Sequence, residues 1–283
     1  MHLFLILCTF GSNVAAVARQ RSPELQVATS SGSLNGIYND SAHKVRAFLG
    51  IPYAEPPIQE LRWAPPPPSP IDASSFGSPC LQVHTYSNES IWSVLPYKIW
   101  NSGDMSEDCL YMNIWAPSVK HRGYRGLQKA AVMIFIHGGS CDTGASSVAY
   151  YDGTNLVRNH DDLIVVTFNY RLNVFGFPNA PGIDPSEQNL GLLDQVDLDL
   201  ENRLAIEWVY ENIAEFGGDL DRILLFGQSA GAASVDIHSY AVSTTLKIRS
   251  LVHLLFIPVP LRYWFRPLII ETGMNRLLRL DAA

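Results

Sequence analysis

Residues 223–234 read ILLFGQSAGAAS and contain a Gly-x-Ser-x-Gly motif centred on Ser229. The short apolar run Ile223–Phe226 predicts a buried strand, and Ala230–Tyr240 begins like a helix. A sharp turn between them would lift the Ser229 hydroxyl above a sheet, and the two glycines leave room for a close strand–helix approach. The motif therefore predicts a nucleophilic serine at a helix N-terminus, where backbone N–H groups stabilise an oxyanion. The alternative is a glycine-lined helix entry without chemistry.

A second glycine-rich stretch, Ile136–Ser140 (IHGGS), ends another apolar run and precedes Ser229 in the chain. A hydrolase built on a strand–turn–helix serine places its oxyanion loop at such a position. Glycines there let the backbone approach a substrate carbonyl closely. We therefore expect the loop at 137–140 to lie beside Ser229, although an ordinary glycine turn would have the same sequence.

Short, continuous apolar runs predict strands that are buried on both faces of a sheet. These runs are Leu110–Trp115, Ala131–Ile136, Leu163–Asn169 and Ile223–Phe226. A helix is expected from about Arg203 to Phe216, because its apolar stripe ends at Gly217–Gly218. Strands that alternate with helices indicate an α/β fold with a mostly parallel central sheet flanked by helices.

The N-terminal region has a different pattern. Residues Gln26–Ala47 alternate apolar and polar side chains around glycine turns, which predicts a β-meander. Residues Ile51–Pro70 are rich in proline, which removes backbone donors and fixes φ. We expect this stretch to wrap the surface as an ordered, non-helical arm.

The composition favours one large folded domain, since 47% of the 283 residues are hydrophobic, 11% are aromatic and only 17% are charged. The formal net charge of −7 argues against a nucleic-acid partner, because phosphate binding needs a basic face. The sequence has no Cys-x-x-Cys or His-Glu-x-x-His motif, so no metal or organic cofactor is expected. No feature predicts an oligomeric state.

The first 18 residues have the pattern of a signal peptide. The apolar run Leu3–Phe10 is followed by a small-residue cleavage site at Ala16–Ala18. The run is shorter than the roughly 20 residues of a membrane span, so we expect secretion and no span. Asn39 and Asn88 begin glycosylation sequons.

The predicted signal peptide contains Cys8, so the mature chain keeps three cysteines: Cys80, Cys109 and Cys141. An oxidising compartment then predicts one disulfide and one remaining thiol. The residues by themselves do not decide which two cysteines pair.

Collinear stretches over residues 26 to about 240 resemble the type B carboxylesterase and cholinesterase family. They are Phe48–Pro57, Leu61–Trp63, Glu107–Trp115, His137–Gly139, Phe168–Leu172, Glu211–Asp219 and Phe226–Ser234. GQSAGAAS (227–234) and NVFGFPNAPG (173–182) resemble the fungal secreted members most. The resemblance implies an α/β-hydrolase fold, with residues 19–240 as the N-terminal part of the domain.

The resemblance also implies roles for individual residues. Ser229 matches the acylating serine, and the backbone N–H groups of Gly139, Ser140 and Ala230 match the oxyanion hole. Cys80 and Cys109 match the family's first disulfide, which would enclose the loop that carries Trp92 and Trp100. Trp100 loosely matches an aromatic residue of the alcohol pocket, which faces choline in cholinesterases.

The sequence departs from the family pattern at several points. The family loop usually has a third glycine and then an aromatic residue, where this chain has Ser140 and Cys141. Residues 196–202 (VDLDLEN) have no obvious counterpart. After Tyr240 the likeness stops, so we expect 241–283 to be a divergent tail, the product of non-coding sequence or aberrant splicing.

The rest of the catalytic triad is not found. In this fold the acid and the histidine follow the serine, and in the resembled family both come far downstream. We expect both to be absent, the sheet to be incomplete at its C-terminal side, and the Ser229 strand to lie at an exposed edge. His137, His238 and His253 are poor substitutes, and His238, over two helical turns from Ser229, should be a packed core residue.

The sequence therefore predicts a secreted carboxylic ester hydrolase that acts on small-molecule esters through an acyl-enzyme, with low or no activity in this chain. The alternatives are a non-catalytic, cholinesterase-like binding or adhesion module and a non-functional fragment. The serine at position 229 argues against a binding module, which has no need of it.

Overall fold

The structure is a computed structural model that describes residues 22–54, 56, 71–83, 105–119, 129–182, 188–195, 205–241 and 250–254. The predicted signal peptide, most of the proline-rich arm, Asn88, Trp92 and Trp100 lie outside these ranges. No helix within them has the length and apolar character needed to cross a bilayer.

The described elements are strands interspersed with short helices. The strands are β1 Gln26–Thr29, β2 Gly32–Asn35, β3 Ile37–Tyr38, β4 Val45–Pro52, β5 Ile71–Asp72, β6 Tyr111–Pro117, β7 Ala130–Ile136, β8 Leu163–Phe168, β9 Gly218–Gln228 and β10 Ser250–Leu254. The α-helices are α1 Thr154–Asn159, α2 Asn173–Gly176, α3 Leu190–Leu193, α4 Ala205–Asn212 and α5 Ala230–Ala241. Single 3₁₀ turns occupy Pro23–Leu25, Ala149–Tyr151 and Ile213–Phe216.

A seven-stranded sheet with the order β10-β9-β7-β8-β6-β4-β3 forms the centre of the fold. Strands β10, β9, β7 and β8 pair in parallel, and β6, β4 and β3 extend the sheet by antiparallel pairs. The predicted α/β fold is therefore confirmed. Its parallel half lies where strands alternate with helices, because parallel neighbours need long crossover connections.

The sheet is buried on both faces, as the continuous apolar runs predicted. On β6 and β8, Ile114 and Val166 belong to one hydrophobic cluster, which also contains Trp208 of α4. Their neighbours Trp115 and Val165 belong to the other cluster, which lies under α1. This alternation follows from the two-residue period of a strand. Each fully buried side chain of this size contributes about 1.5–3 kcal/mol.

The alternating N-terminal segment forms two hairpins in different sheets rather than one meander. Strands β1 and β2 join β5 in a three-stranded sheet, whereas β3 and β4 belong to the central sheet. The chain crosses from one to the other at Gly36. A Cβ at this position would lie 2.6 Å from the Phe48 ring, so the crossing has no room for a side chain.

The predicted helix before the Ser229 strand is present. Helix α4 continues into the 3₁₀ turn Ile213–Phe216, and the chain reverses at Gly217 with φ 93°. A left-handed residue at a helix end is most often glycine, because other residues carry a Cβ penalty there. The Gly217–Gly218 pair therefore ends the helix as predicted.

Strand β10 corrects one expectation. It lies beyond Tyr240, in the segment that we expected to diverge, and pairs in parallel with β9 from Ser250 opposite Leu224 to Leu254 opposite Gln228. Strand β9 is thus paired on both sides, with β7 and β10, and the prediction of an exposed Ser229 strand is wrong. The apolar run SLVHL (250–254) can continue the sheet because β9 offers a row of backbone donors and acceptors.

The disulfide predicted from the family resemblance is present. Cys80 and Cys109 are bonded with their Cα atoms 4.9 Å apart, and Cys141 is free and buried. Both bonded cysteines lie in the main hydrophobic cluster. The bond closes a loop with a sequence separation of 29 residues.

We predict that the paired substitution Cys80→Ala and Cys109→Ala lowers the free energy of unfolding by about 3–4 kcal/mol, because the unfolded chain regains the entropy of the open loop. Urea unfolding of the oxidised protein and the variant measures the difference. Reductant should shift the midpoint of the parent chain and leave that of the variant unchanged. Equal midpoints for the two oxidised proteins would contradict the prediction.

Candidate functional site

Ser229 occupies a sharp turn between β9 and α5, as the motif predicted. Its φ is 57°, in the left-handed region, and the helix starts at once, since Ala233 N–H donates to Ser229 O at 3.1 Å. A left-handed conformation costs a non-glycine residue about 1–2 kcal/mol. Such strain persists where the surroundings fix the backbone, and it concentrates at functional sites.

The two glycines of the motif allow three backbone segments to touch. A Cβ on Gly227 would lie 2.4 Å from the carbonyl carbon of Gly231. A Cβ on Gly231 would lie 2.1 Å from the carbonyl oxygen of Ile136, at the end of β7. The turn at Ser229 therefore packs directly on the β7 terminus, and any side chain at these glycines would force the segments apart.

The loop that follows β7 lies beside Ser229, as expected. A Cβ on Gly138 would lie 2.9 Å from the Cβ of Ser229 and 2.4 Å from the carbonyl oxygen of Gln228. The loop and Ser229 lie at the same edge of the sheet because β7 and β9 are parallel neighbours, with Ile136 opposite Gly227.

This loop contains three consecutive residues with positive φ: Gly139 at 119°, Ser140 at 59° and Cys141 at 61°. The Gly139 carbonyl closes the turn by accepting the N–H groups of Asp142 and Thr143, each at 3.0 Å. Ser140 stands where the resembled family has a third glycine, and its backbone is left-handed. Burial raises the pKa of Cys141 to about 12, so its thiol stays protonated at neutral pH.

His137 is buried at the base of the loop. Its ring stacks on Tyr170 with centroids 4.5 Å apart, and the Tyr170 hydroxyl donates to the His137 carbonyl at 2.9 Å. Nδ1 lies 2.9 Å from the Gly138 carbonyl, which can only accept, so Nδ1 carries the proton. Nε2 has no hydrogen-bond partner among the described residues. Burial lowers the pKa of His137 to about 4, which makes it a weak base.

His238 is a packed core residue, as predicted. Its side chain is buried in α5, and Nε2 donates to Gln195 Oε1 at 2.8 Å. Burial lowers the pKa of His238 to about 4. His253 lies on β10, and its side chain is outside the described part of the structure.

A buried ion pair fixes the chain just after β8. The Arg171 guanidinium contacts both carboxylate oxygens of Asp194 at 2.7–3.1 Å, and the Arg171 backbone N–H donates to the same carboxylate at 2.9 Å. Desolvation opposes the charge on Arg171, but the Asp194 carboxylate outweighs it and raises the pKa of Arg171. Sequence reasoning missed this pair, although Arg171 lies in the quoted stretch Phe168–Leu172.

Two buried asparagines also connect the site to the sheet, and sequence reasoning missed both. Asn113 Nδ2 donates to the hydroxyls of Ser146 and Thr167, at 3.0 and 3.1 Å. Asn169 accepts the Ser146 backbone N–H and donates to the Cys109 carbonyl. Their only signal in the sequence is a polar residue inside an otherwise apolar strand or at its end.

The remaining predicted site residues are only partly covered. Asn39 is half-buried, and the side-chain nitrogen that a glycan would modify donates to Thr154 Oγ1 at 2.5 Å. Asn88 and Trp100 are outside the described residues. Within the described ranges, no cluster of three or more His, Cys, Asp or Glu side chains could hold a metal.

Comparison with known proteins gives a consistent result. The sequence profile of the Carboxylesterase family matches residues 23–253, so the match reaches into β10. The chain is 42% identical to a chlorogenic acid esterase from Aspergillus niger over 82% of its length. It is 39% identical to the acetylcholinesterases of Bungarus fasciatus and Electrophorus electricus, over 83% and 77% of its length.

The chain spans less than half of these relatives. The alignments cover 44% of the Aspergillus niger protein, 37% of the Bungarus fasciatus protein and 33% of the Electrophorus electricus protein.

We predict that Ser140→Gly raises the free energy of unfolding by about 0.5–1 kcal/mol, because glycine adopts the left-handed conformation without the Cβ penalty. The matched control is Ser33→Gly on strand β2. Ser33 is also exposed, but its backbone is extended, so the same substitution should destabilise the protein by about 0.5–1 kcal/mol. Urea unfolding midpoints measure both effects, and equal shifts in the two variants would contradict the assignment of strain to Ser140.

The buried histidines predict a loss of stability on acidification. The pKa of each falls from 6.5 to about 4 on folding, so the unfolded state binds more protons between these values. Stability should therefore fall as the pH drops below 6.5, by up to about 1.4 kcal/mol per pH unit for each histidine.

His238→Gln keeps a side chain that can bond to Gln195 and removes one titrating group. The slope of unfolding free energy against pH, measured by urea unfolding from pH 6.5 to 5, should fall by about half. An unchanged slope would show that His238 is not held neutral in the folded protein.

Proposed function

This chain belongs to the carboxylesterase family, and on that premise we propose that Ser229 is the nucleophile of a serine carboxylic ester hydrolase. The observation that carries the proposal is the strained turn at Ser229, with φ 57° and the Gly138 loop packed against its side chain. A glycine-lined helix entry without chemistry, or a binding module, would not need strain at a serine.

The proposed reaction has two steps. Ser229 Oγ attacks the ester carbonyl and forms a C–O bond, the C–O bond between the acyl carbon and the alkoxy group breaks, and the hydroxyl proton leaves with the alcohol, giving an acyl-enzyme. Water then attacks the acyl carbon and regenerates Ser229 as the carboxylic acid leaves. In both steps a tetrahedral oxyanion forms, which we assign to the backbone N–H groups of Gly139, Ser140 and Ala230.

Neither described buried histidine suits the role of general base. Both have a pKa of about 4, far below the neutral range in which a base removes a proton efficiently. His238 Nε2 moreover donates a hydrogen bond to Gln195 and so carries a proton already. We therefore propose that full activity requires an acid–histidine pair that the described residues do not supply, and that this chain alone turns over esters slowly.

The proposed substrates are small-molecule carboxylic esters, which agrees with the esterase names of the relatives. We also propose that the protein is secreted. The buried Cys80–Cys109 bond supports an oxidising compartment, since disulfides are rare in the cytosol. The N-terminal pattern at 1–18 supports the same route.

An organophosphorus probe tests the nucleophile separately from turnover. A fluorophosphonate should modify residues 19–283 at Ser229, slowly and over a long incubation because the described residues supply no general base, as located by peptide mass spectrometry. Ser229→Ala should abolish labelling, and the exposed-site control Ser33→Ala should retain it. Folded wild-type protein that shows no more labelling than Ser229→Ala after that long incubation would overturn the proposal.

The same proteins test whether the chain supplies a general base. Hydrolysis of a small activated ester by the wild-type chain should exceed the reaction in water by on the order of 10³-fold or less, because only binding and oxyanion stabilisation act. Rapid turnover that depends on Ser229 would show that the chain itself supplies a base.

A further inference from the structure

The side chain of Gln82 makes two hydrogen bonds with the backbone of Gly144. Gly144 lies at the far end of the loop 137–144, which contains the proposed oxyanion-hole residues Gly139 and Ser140 and is called the oxyanion loop below. Gln82 Nε2 donates to the Gly144 carbonyl and Gln82 Oε1 accepts the Gly144 N–H, both at 2.8 Å. Nε2 also donates to the Cys80 carbonyl at 3.0 Å. Because two carbonyls face Nε2 and an N–H faces Oε1, only one orientation of the amide satisfies all three bonds.

Gly144 in turn determines where the start of the loop lies. Its φ is 127°, and a Cβ on it would lie 2.4 Å from His137 Nδ1 and 2.5 Å from the Gly138 carbonyl oxygen. Gly138 packs on Ser229. A displacement of Gly144 would therefore move the residues that border the serine, since close-packed backbone transmits such shifts.

Gln82 is itself held in place from the core. It follows Cys80 by two residues, and the disulfide fixes Cys80 to Cys109, whose carbonyl is bonded to buried Asn169. Leu81, which lies between Cys80 and Gln82 in the chain, accepts a hydrogen bond from Asn173 Nδ2 on its carbonyl oxygen at 2.7 Å. Asn173 also donates its backbone N–H to the Cys141 carbonyl at 2.7 Å, so two residues connect the 80–82 segment to the loop.

We propose that Gln82 is a positioning residue for the oxyanion loop, which it holds in register with Ser229 by pairing with Gly144. The inference rests on the proposed function. Gln82 does not touch the reacting atoms in this assignment. It acts through Gly144 and Gly138, and its anchor is the Cys80–Cys109 disulfide.

The amide is the feature that matters chemically. Glutamine offers a donor and an acceptor side by side and so matches one peptide unit, as a neighbouring strand would. Gln82→Met keeps a similar length without either group. The matched control is Gln26→Met on strand β1 of the three-stranded sheet, where the glutamine is exposed.

The test is the kinetics of Ser229 modification by a fluorophosphonate, whose phosphoryl oxygen needs the same stabilisation as an ester oxyanion. Gln82→Met should lower the first-order rate of modification at saturating probe by about ten- to hundredfold, the order of effect expected when catalytic geometry is displaced. The probe concentration for half-saturation should stay within about twofold. Gln26→Met should match wild type in both quantities.

A purely structural role predicts a different result. It would reduce the amount of protein that can be labelled, and the fraction that labels would still react at the wild-type rate. Unchanged kinetics in Gln82→Met, with wild type labelling normally, would overturn the inference and leave the proposed function intact. Absence of labelling in wild type would overturn the proposed function, and the inference with it.

Amide hydrogen exchange provides an independent readout. The Gly144 N–H donates to Gln82, so Gln82→Met should increase its exchange rate by tenfold or more, while the β7 amides stay protected. Unchanged exchange at Gly144 would also overturn the inference, because the bond would not be holding the loop.

Discussion

The contact of three backbone segments around Ser229 is the constraint on which the rest of this structure depends. The end of β7, the end of β9 and the start of α5 meet where Gly231 lies on the Ile136 carbonyl and Gly138 lies on Ser229. Ser229 keeps a left-handed backbone because its neighbours leave it no relaxed alternative. The cost is on the order of 1–2 kcal/mol and is offset by the hydrophobic clusters on both faces of the sheet.

The parallel sheet brings the loop after β7 and the turn at Ser229 together at one edge. Strands β7 and β9 are neighbours in parallel register, so the loop after one and the turn after the other leave the sheet at the same edge. Ligand sites of open α/β sheets lie at the carboxyl ends of the strands for this reason. The pairing of β10 on the other side of β9 keeps the Ser229 strand inside the sheet.

Side chains hold the irregular backbone near Ser229, because a loop that does not pair with a strand leaves polar groups to be satisfied. Tyr170 binds the His137 carbonyl, Asn169 binds the Ser146 N–H, and Gln82 binds both polar groups of Gly144. These anchors come from separate parts of the chain. The loop beside the serine is thus held from several directions, which is what the proposed oxyanion hole requires.

The sequence by itself determined most strands and helices and the backbone turn that holds Ser229. Continuous apolar runs gave strands buried on both faces, the glycine motif predicted the turn at Ser229, and Gly217 ended the preceding helix. The resemblance to a family added the Cys80–Cys109 pair. These features are local, since strand periodicity, a tight turn and a helix stop each depend on a few adjacent residues.

Only the tertiary structure decided the features that join distant parts of the chain. The division of the N-terminal strands between two sheets depends on the packing of Gly36 against Phe48. The pairing of β10 with β9 and the hydrogen bond of His238 to Gln195 had no signal in the local sequence pattern. Gln82 and Gly144 are 62 residues apart, and an isolated glutamine in a sequence does not show which backbone it will meet. Such contacts exist only once the sheet has fixed where each segment lies.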